Sequence, residues 1–237
     1  MQRQPIRSFH ARHGRARPQQ RAILDSLWSQ YGANFPDDHN EPDLPRIDSL
    51  DGSGGCLDRL FTPELPVVLE IGFGMGEATA AMAGHDPKLG VLAIDVHRPG
   101  IVRLLSLIDE AHLTNVRVAR GDASDLLTRG IPQSSLAGTR IFFPDPWPKA
   151  RHHKRRLIKP DFVALLVSRL GPVGFVHLAT DWPDYADQMR SVLDTEPRLV
   201  HADINLRAPS LQRVETAYER IGRAKGHDVT DLIYERR

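Results

Sequence analysis

Four short apolar runs in this 237-residue chain each close on or beside an acidic side chain. Val67 to Ile71 carries Glu70, Val91 to Ile94 stops at Asp95, Val116 to Ala119 ends near Asp122, and Ile141 to Phe143 leads through Pro144 to Asp145. Runs this short, rich in β-branched and aromatic residues, read as strands buried on both faces, as strands of a parallel sheet are. Helix-prone stretches separate them: Glu77 to Met82, and a segment that repeats apolar residues at Ile101, Leu104, Leu105 and Ile108. Strands alternating with helices of this length predict an α/β fold with a mostly parallel sheet and helices on both faces. Ligands of such sheets bind beyond the carboxyl ends of the strands. One acid at a strand end is commonly a helix cap, but four in the same register predict a shared acidic rim.

The pattern continues after residue 160. Phe162 to Leu170 has the spacing of an amphipathic helix, Gly174 to Ala179 of a fifth strand, Tyr185 to Leu193 of another helix, Leu199 to Ile204 of a sixth strand and Val229 to Tyr234 of a seventh. The fifth strand runs into Thr180-Asp181-Trp182-Pro183, a second acid-aromatic-proline turn on the predicted rim. Before the sheet, residues 1–33 form a basic arm and a helix whose apolar side is Ile23, Leu24, Leu27 and Trp28. Residues 34–66 hold many acids and five prolines, and are expected to be an irregular connector to a domain spanning 67–237.

Charge matters here by position. The total of +1 hides six arginines, Arg3, Arg7, Arg12, Arg15, Arg17 and Arg21, that precede the first acid, Asp25, and suit an arm that meets nucleic acid. Cys56 is the only cysteine, which excludes an intrachain disulfide or a multi-cysteine metal site and fits a cytoplasmic protein. Nothing approaches the ~18 apolar residues of a membrane span, and the arginine-rich start lacks the apolar core of a secretory signal.

Residues 141–156, IFFPDPWPKARHHKRR, gather features that a stable fold alone does not require. Prolines on both sides stiffen Asp145 at a strand end, and Trp147 follows as a flat apolar surface. Lys149, Arg151, His152, His153, Lys154, Arg155 and Arg156 then make a dense basic patch. A carboxylate for a base edge, a ring for stacking and cations for phosphates together suit a nucleobase on a phosphate backbone.

Gly72-x-Gly74-x-Gly76 follows Glu70 where the first strand turns into a helix, and Asp95 lies about twenty residues on, where an acid accepts hydrogen bonds from ribose hydroxyls. A dinucleotide site has a different glycine spacing and places a pyrophosphate here, which Glu70 would repel. The sulfonium and amino group of S-adenosyl-L-methionine would instead be attracted.

These segments, together with Gly226-His227-Asp228-Val229-Thr230-Asp231-Leu232, resemble the bacterial tRNA (guanine-N7)-methyltransferase family from about Arg7 to the C-terminus. The resemblance implies a Rossmann-like class I methyltransferase fold with a seven-stranded sheet. It implies that S-adenosyl-L-methionine is held by Glu70, the Gly72, Gly74 and Gly76 loop, Asp95, Asp122 and Asp145, with Asp145 also catalytic. Lys149, Arg151 to Arg156, Asp181, Thr216, Ala217, Tyr218 and Glu219 would meet tRNA, and the product would be 7-methylguanosine at position 46 of the variable loop. A cytoplasmic monomer without a metal is expected. One stretch departs from the family pattern: Ala217 stands where a basic residue is usual and Val214 where a proline is, leaving Arg213 or Arg220 to supply the missing cation. A methyltransferase for another position, a nucleic-acid-binding protein with an inactive cofactor site and an NAD-dependent oxidoreductase are the competing readings.

Overall fold

The computed structural model describes residues 17–34, 57–202, 213–216, 219–220, 222, 226 and 228–237. Eight strands form one sheet: β1 (Gly32–Ala33), β2 (Val67–Ile71), β3 (Gly90–Asp95), β4 (Val116–Arg120), β5 (Leu136–Phe142), β6 (Leu170–Thr180), β7 (Leu199–His201) and β8 (Thr230–Arg236). Among the described residues, six fully described α-helices connect or flank them: α1 (Pro18–Tyr31), α2 (Glu77–His85), α3 (Arg98–Glu110), α4 (Ala123–Arg129), α5 (Pro160–Arg169) and α6 (Pro183–Thr195). The order across the sheet is β1-β4-β3-β2-β5-β6-β8-β7, with only β8 antiparallel to its neighbours. Growth of the sheet therefore reverses direction between β2 and β5, and a crevice opens at their carboxyl ends.

Seven of these strands are the ones expected. The eighth, β1, is two residues long and covers the edge of β4, placing Gly32 against Val118 and Ala33 against Ala119. It removes an exposed edge of the kind that invites edge-to-edge pairing. Trp28, only 1% exposed, secures it: the indole is buried against the core and its Nε1 donates to Asn34 Oδ1 at 3.1 Å. The N-terminal helix is thus packed onto the same sheet as everything after residue 57.

The central strands are apolar because both faces are covered. Val68, Leu69, Leu92, Ala93, Val116 and Val118 are all fully buried, with α2 and α3 on one side and α4, α5 and α6 on the other. Sequence spacing underestimated β5, which begins at Leu136 rather than Ile141 because Thr139 and Arg140, both buried, interrupt its apolar pattern. β6 likewise starts at Leu170, where α5 ends. The expected connector falls mostly outside the described residues, as do 203–212 and the side chains of Ala217 and Tyr218.

Candidate active site

The turn after β2 is tight enough to need glycine. Gly72 has φ 78° with no heavy atom within 4 Å of where a Cβ would sit, so its bare face is open to a ligand. Its N–H donates to Ile94 O at 2.9 Å, pinning the loop to β3. Opposite it, a Cβ on Gly100 would lie 1.8 Å from Gly74 O, so α3 begins in backbone contact with the loop.

Glu70 and Asp95 flank this cradle. Glu70 is 3% exposed; Thr79 Oγ1 donates to its Oε1 at 2.8 Å, while Oε2 has no hydrogen-bond partner. Burial pushes its carboxyl above the usual range, against the pull of Arg140 and Thr79. Arg140 sits directly across from it on β5 and is itself buried, a cation that sequence reasoning overlooked because it lies inside an apolar strand. Asp95 Oδ2 accepts from Gly74 N at 3.1 Å and Oδ1 from His97 N at 2.9 Å, so it braces the glycine loop and does not cap α3, whose N-cap is His97. Desolvation raises its carboxyl as well. Both oxygens keep lone pairs for further donors. Asp122 differs: its side chain accepts from Ser124 N at 2.7 Å and caps α4.

An unpaired buried carboxylate oxygen, an open glycine face and a braced acid at the end of β3 fit S-adenosyl-L-methionine. Glu70 would face positive charge, the loop would lie along the amino-acid part, and Asp95 would accept from ribose hydroxyls.

Asp145 lies just beyond the carboxyl end of β5, exposed, between two residues with left-handed backbones: Phe143 at φ 51° and Trp147 at φ 45°. Conformations of this kind in non-glycine residues cost about 1–3 kcal/mol each and persist where the surroundings enforce them. Phe143 N still bonds to Ala179 O at 2.8 Å, so the departure from the sheet is abrupt. Asp181 follows β6 on the same rim, half-buried against Gly222, where an added Cβ would come within 3.0 Å of Asp181 Oδ2.

The basic segment 150–155 forms a 3₁₀ turn. Lys149, Arg151 and Lys154 are exposed; Arg155 is half-buried with its guanidinium 4.9 Å over the Trp147 ring, and His152 meets the edge of the same indole at 5.9 Å. Partial desolvation and then the neighbouring cations Arg151, Arg155, Lys149 and Lys154 lower the His152 pKa. Arg156 departs from expectation. At 1% exposure it cannot reach a phosphate, because its guanidinium is spent on Pro146 O, Gln188, Asp184 and His153 inside the fold.

A second inward cluster lies at the start of β8. Arg213 bridges Asp231 and Glu219 and packs against the rings of Phe142 and Phe143, while His177 Nε2 lies 2.8 Å from Asp231 Oδ1. Arg213 therefore does not replace the cation missing at 217. Arg220, largely exposed beside Glu215, faces outward. Glu219 is 1% exposed and engaged by Arg213, and its N–H donates to Thr216 Oγ1 at 3.1 Å, so Thr216 and Glu219 form one closed turn.

A family model described as "Putative methyltransferase" matches residues 64–232. The tRNA (guanine-N(7)-)-methyltransferase of Alkalilimnicola ehrlichii is 45% identical over 99% of this chain and 94% of that relative, and the one of Streptomyces avermitilis is 46% identical over 98% and 75%. The chain belongs to the tRNA (guanine-N(7)-)-methyltransferase family. Its fold is that of class I methyltransferases: the 16S rRNA methyltransferase KamB superposes with a TM-score of 0.55 at 17% identity, over 78% of this chain and 94% of that one. No helix among the described residues is long and apolar enough to cross a membrane.

Proposed function

We infer that this protein methylates N7 of a guanine in tRNA, and that the guanine is the one at position 46 of the variable loop. The reading includes action in the cytoplasm as a monomer without a metal ion. The chemistry that S-adenosyl-L-methionine supplies when bound is an electrophilic methyl group on a sulfonium. Guanine N7 carries an in-plane lone pair, so the chain has no proton to remove before transfer. Its residues have to position and to compensate charge.

Positioning falls to the two rims. Glu70 and Asp95 hold the donor side at the closed end of β2 and β3, and Asp145 and Asp181 hold the guanine side. Reactants kept in line at about 3 to 3.5 Å gain roughly 7–11 kcal/mol from avoided entropy and reorganisation. As N7 becomes positive, the N1–H and amino protons on the base edge become better donors, and a carboxylate accepting from them is favoured more at the transition state than before it. Asp145 fits that role: it is exposed to the crevice and held by a backbone that two prolines and two left-handed residues leave little freedom. Lys149, Arg151, Lys154 and Arg155, with His152 and His153 between them, would take the phosphates beyond the base.

The observation that supports this reading most is the Pro144-Asp145-Pro146 turn, flanked by left-handed Phe143 and Trp147 at the carboxyl end of β5, on the strand paired with the β2 that carries Glu70 and its unpaired oxygen. The test is purified protein with unmodified tRNA and a labelled methyl donor, followed by nucleoside mass spectrometry and by mapping of the strand scission that 7-methylguanosine undergoes after reduction and amine treatment. 7-Methylguanosine at position 46 is expected. A methyl group on another atom of guanine, or on another base, would overturn it.

A further inference from the structure

Arg156 closes a run of cations, yet it faces the interior. Its Nε donates to Pro146 O at 2.9 Å, the carbonyl immediately after Asp145. From the same guanidinium, Nη1 donates to Gln188 Oε1 at 2.6 Å and Nη2 to Asp184 Oδ2 at 2.5 Å. Both partners stand on α6, in the first two turns after Asp181. The guanidinium carbon also lies 4.7 Å over the ring of Tyr185, which is fully buried, and Nη2 approaches His153 Nε2 at 3.1 Å. Arginine only donates, so His153 accepts at that nitrogen.

Two further bonds extend the assembly. Gln188 Nε2 donates to Ile158 O at 3.0 Å, and Ile158 N donates to Tyr185 Oη at 3.1 Å. The 3₁₀ turn of the basic segment, the proline-flanked turn of Asp145 and the start of α6 therefore converge on one planar cation. A lysine offers one point charge where the fork of arginine meets four acceptors at fixed angles.

We propose that Arg156 is a positioning residue for methyl transfer, a buried brace that fixes the Asp145 turn relative to the Asp181 turn and makes no contact with tRNA. The proposal rests on the methyltransferase reading above and deepens it. The turn it braces has adverse backbone angles at Phe143 and Trp147 and would relax if released, taking the Asp145 carboxylate with it. Misplacement by about 1 Å can cost on the order of 10²-fold in rate. Because the side chain is buried, its loss would leave phosphate contacts alone.

The experiment compares wild type, Arg156→Lys, Gln188→Leu and Arg155→Gln at a temperature well below each melting midpoint. It measures kcat and KM for tRNA methylation, and tRNA binding by filter retention across a salt series. For Arg156→Lys a fall in kcat of roughly 10- to 100-fold is expected, with tRNA affinity and its salt slope as in wild type. Gln188→Leu, which keeps every cation, should lower kcat in the same direction by less. Arg155→Gln, which removes the half-buried cation stacked over Trp147, should flatten the salt slope by about 0.7 to 0.9. A salt slope that drops for Arg156→Lys as it does for Arg155→Gln would make Arg156 a phosphate contact and overturn the proposal. So would kcat unchanged in both Arg156→Lys and Gln188→Leu, with only the melting midpoints lowered. If wild type itself makes no 7-methylguanosine, the functional reading fails instead, and the two failures are told apart by that control.

Discussion

Single side chains carry the chemistry, and two of them predict opposite behaviour. Asp145 is exposed at the end of β5, so Asp145→Ala should lower kcat on the order of 10²-fold or more while changing the melting midpoint far less than loss of a buried side chain would. Single-turnover methyl transfer alongside thermal melts would check both halves. Glu70 is the reverse case, a buried carboxylate facing Thr79 and Arg140 with one oxygen unused. Burial raises its pKa, so the ionised form that a cationic donor needs is lost at a higher pH than for an ordinary carboxylate. Donor affinity should therefore fall as pH drops toward that raised value. In Glu70→Gln the affinity should be lower throughout and much flatter with pH, as titration calorimetry in buffers of different ionisation heat would detect.

Elements show how much of the molecule was legible in its sequence and where reading stopped. Strand ends were legible at Glu70, Asp95 and Asp145, because apolar runs bounded by glycine or proline leave little choice of register. Partnerships were not: Arg140, Arg156 and Arg213 look like three more cations in an arginine-rich chain, and only the fold turns them inward. Asp122 carried the same strand-end signal as Asp95 but spends an oxygen on capping α4. The strand β8 binds its neighbourhood through one such hidden cluster. Burial lowers the His177 pKa despite the bond to Asp231, and Asp231, desolvated but bonded by His177 and Arg213, ends well below the usual carboxylate range. Both folded values lie below the unfolded ones, so both contributions are present at neutral pH and are lost on acidification, His177 first, below about pH 6.5, and Asp231 later, below about pH 3.9. The melting midpoint should drop between pH 7 and 5, and His177→Gln should shrink that drop while lowering the midpoint at pH 7.

At the scale of the whole molecule, association with tRNA is a matter of counterions. The exposed part of the basic segment and the arginines before residue 22 together suffice for about six phosphates, and affinity should then fall roughly 10³-fold between 50 and 200 mM salt. Deleting residues 1–16 should flatten that response without touching donor affinity, because the body described from residue 17 onward already contains the whole Glu70–Asp95 side. The reversal of the sheet between β2 and β5 has one more consequence. On the proposed reading, Glu70, the glycine loop, Asp95 and Asp122 all precede the end of α4 at Arg129, while Asp145, the basic segment and Asp181 follow it. A chimera joined just beyond Arg129 that keeps the Glu70–Arg140 pairing across the seam should exchange one nucleic-acid preference for another and inherit its fuel unchanged.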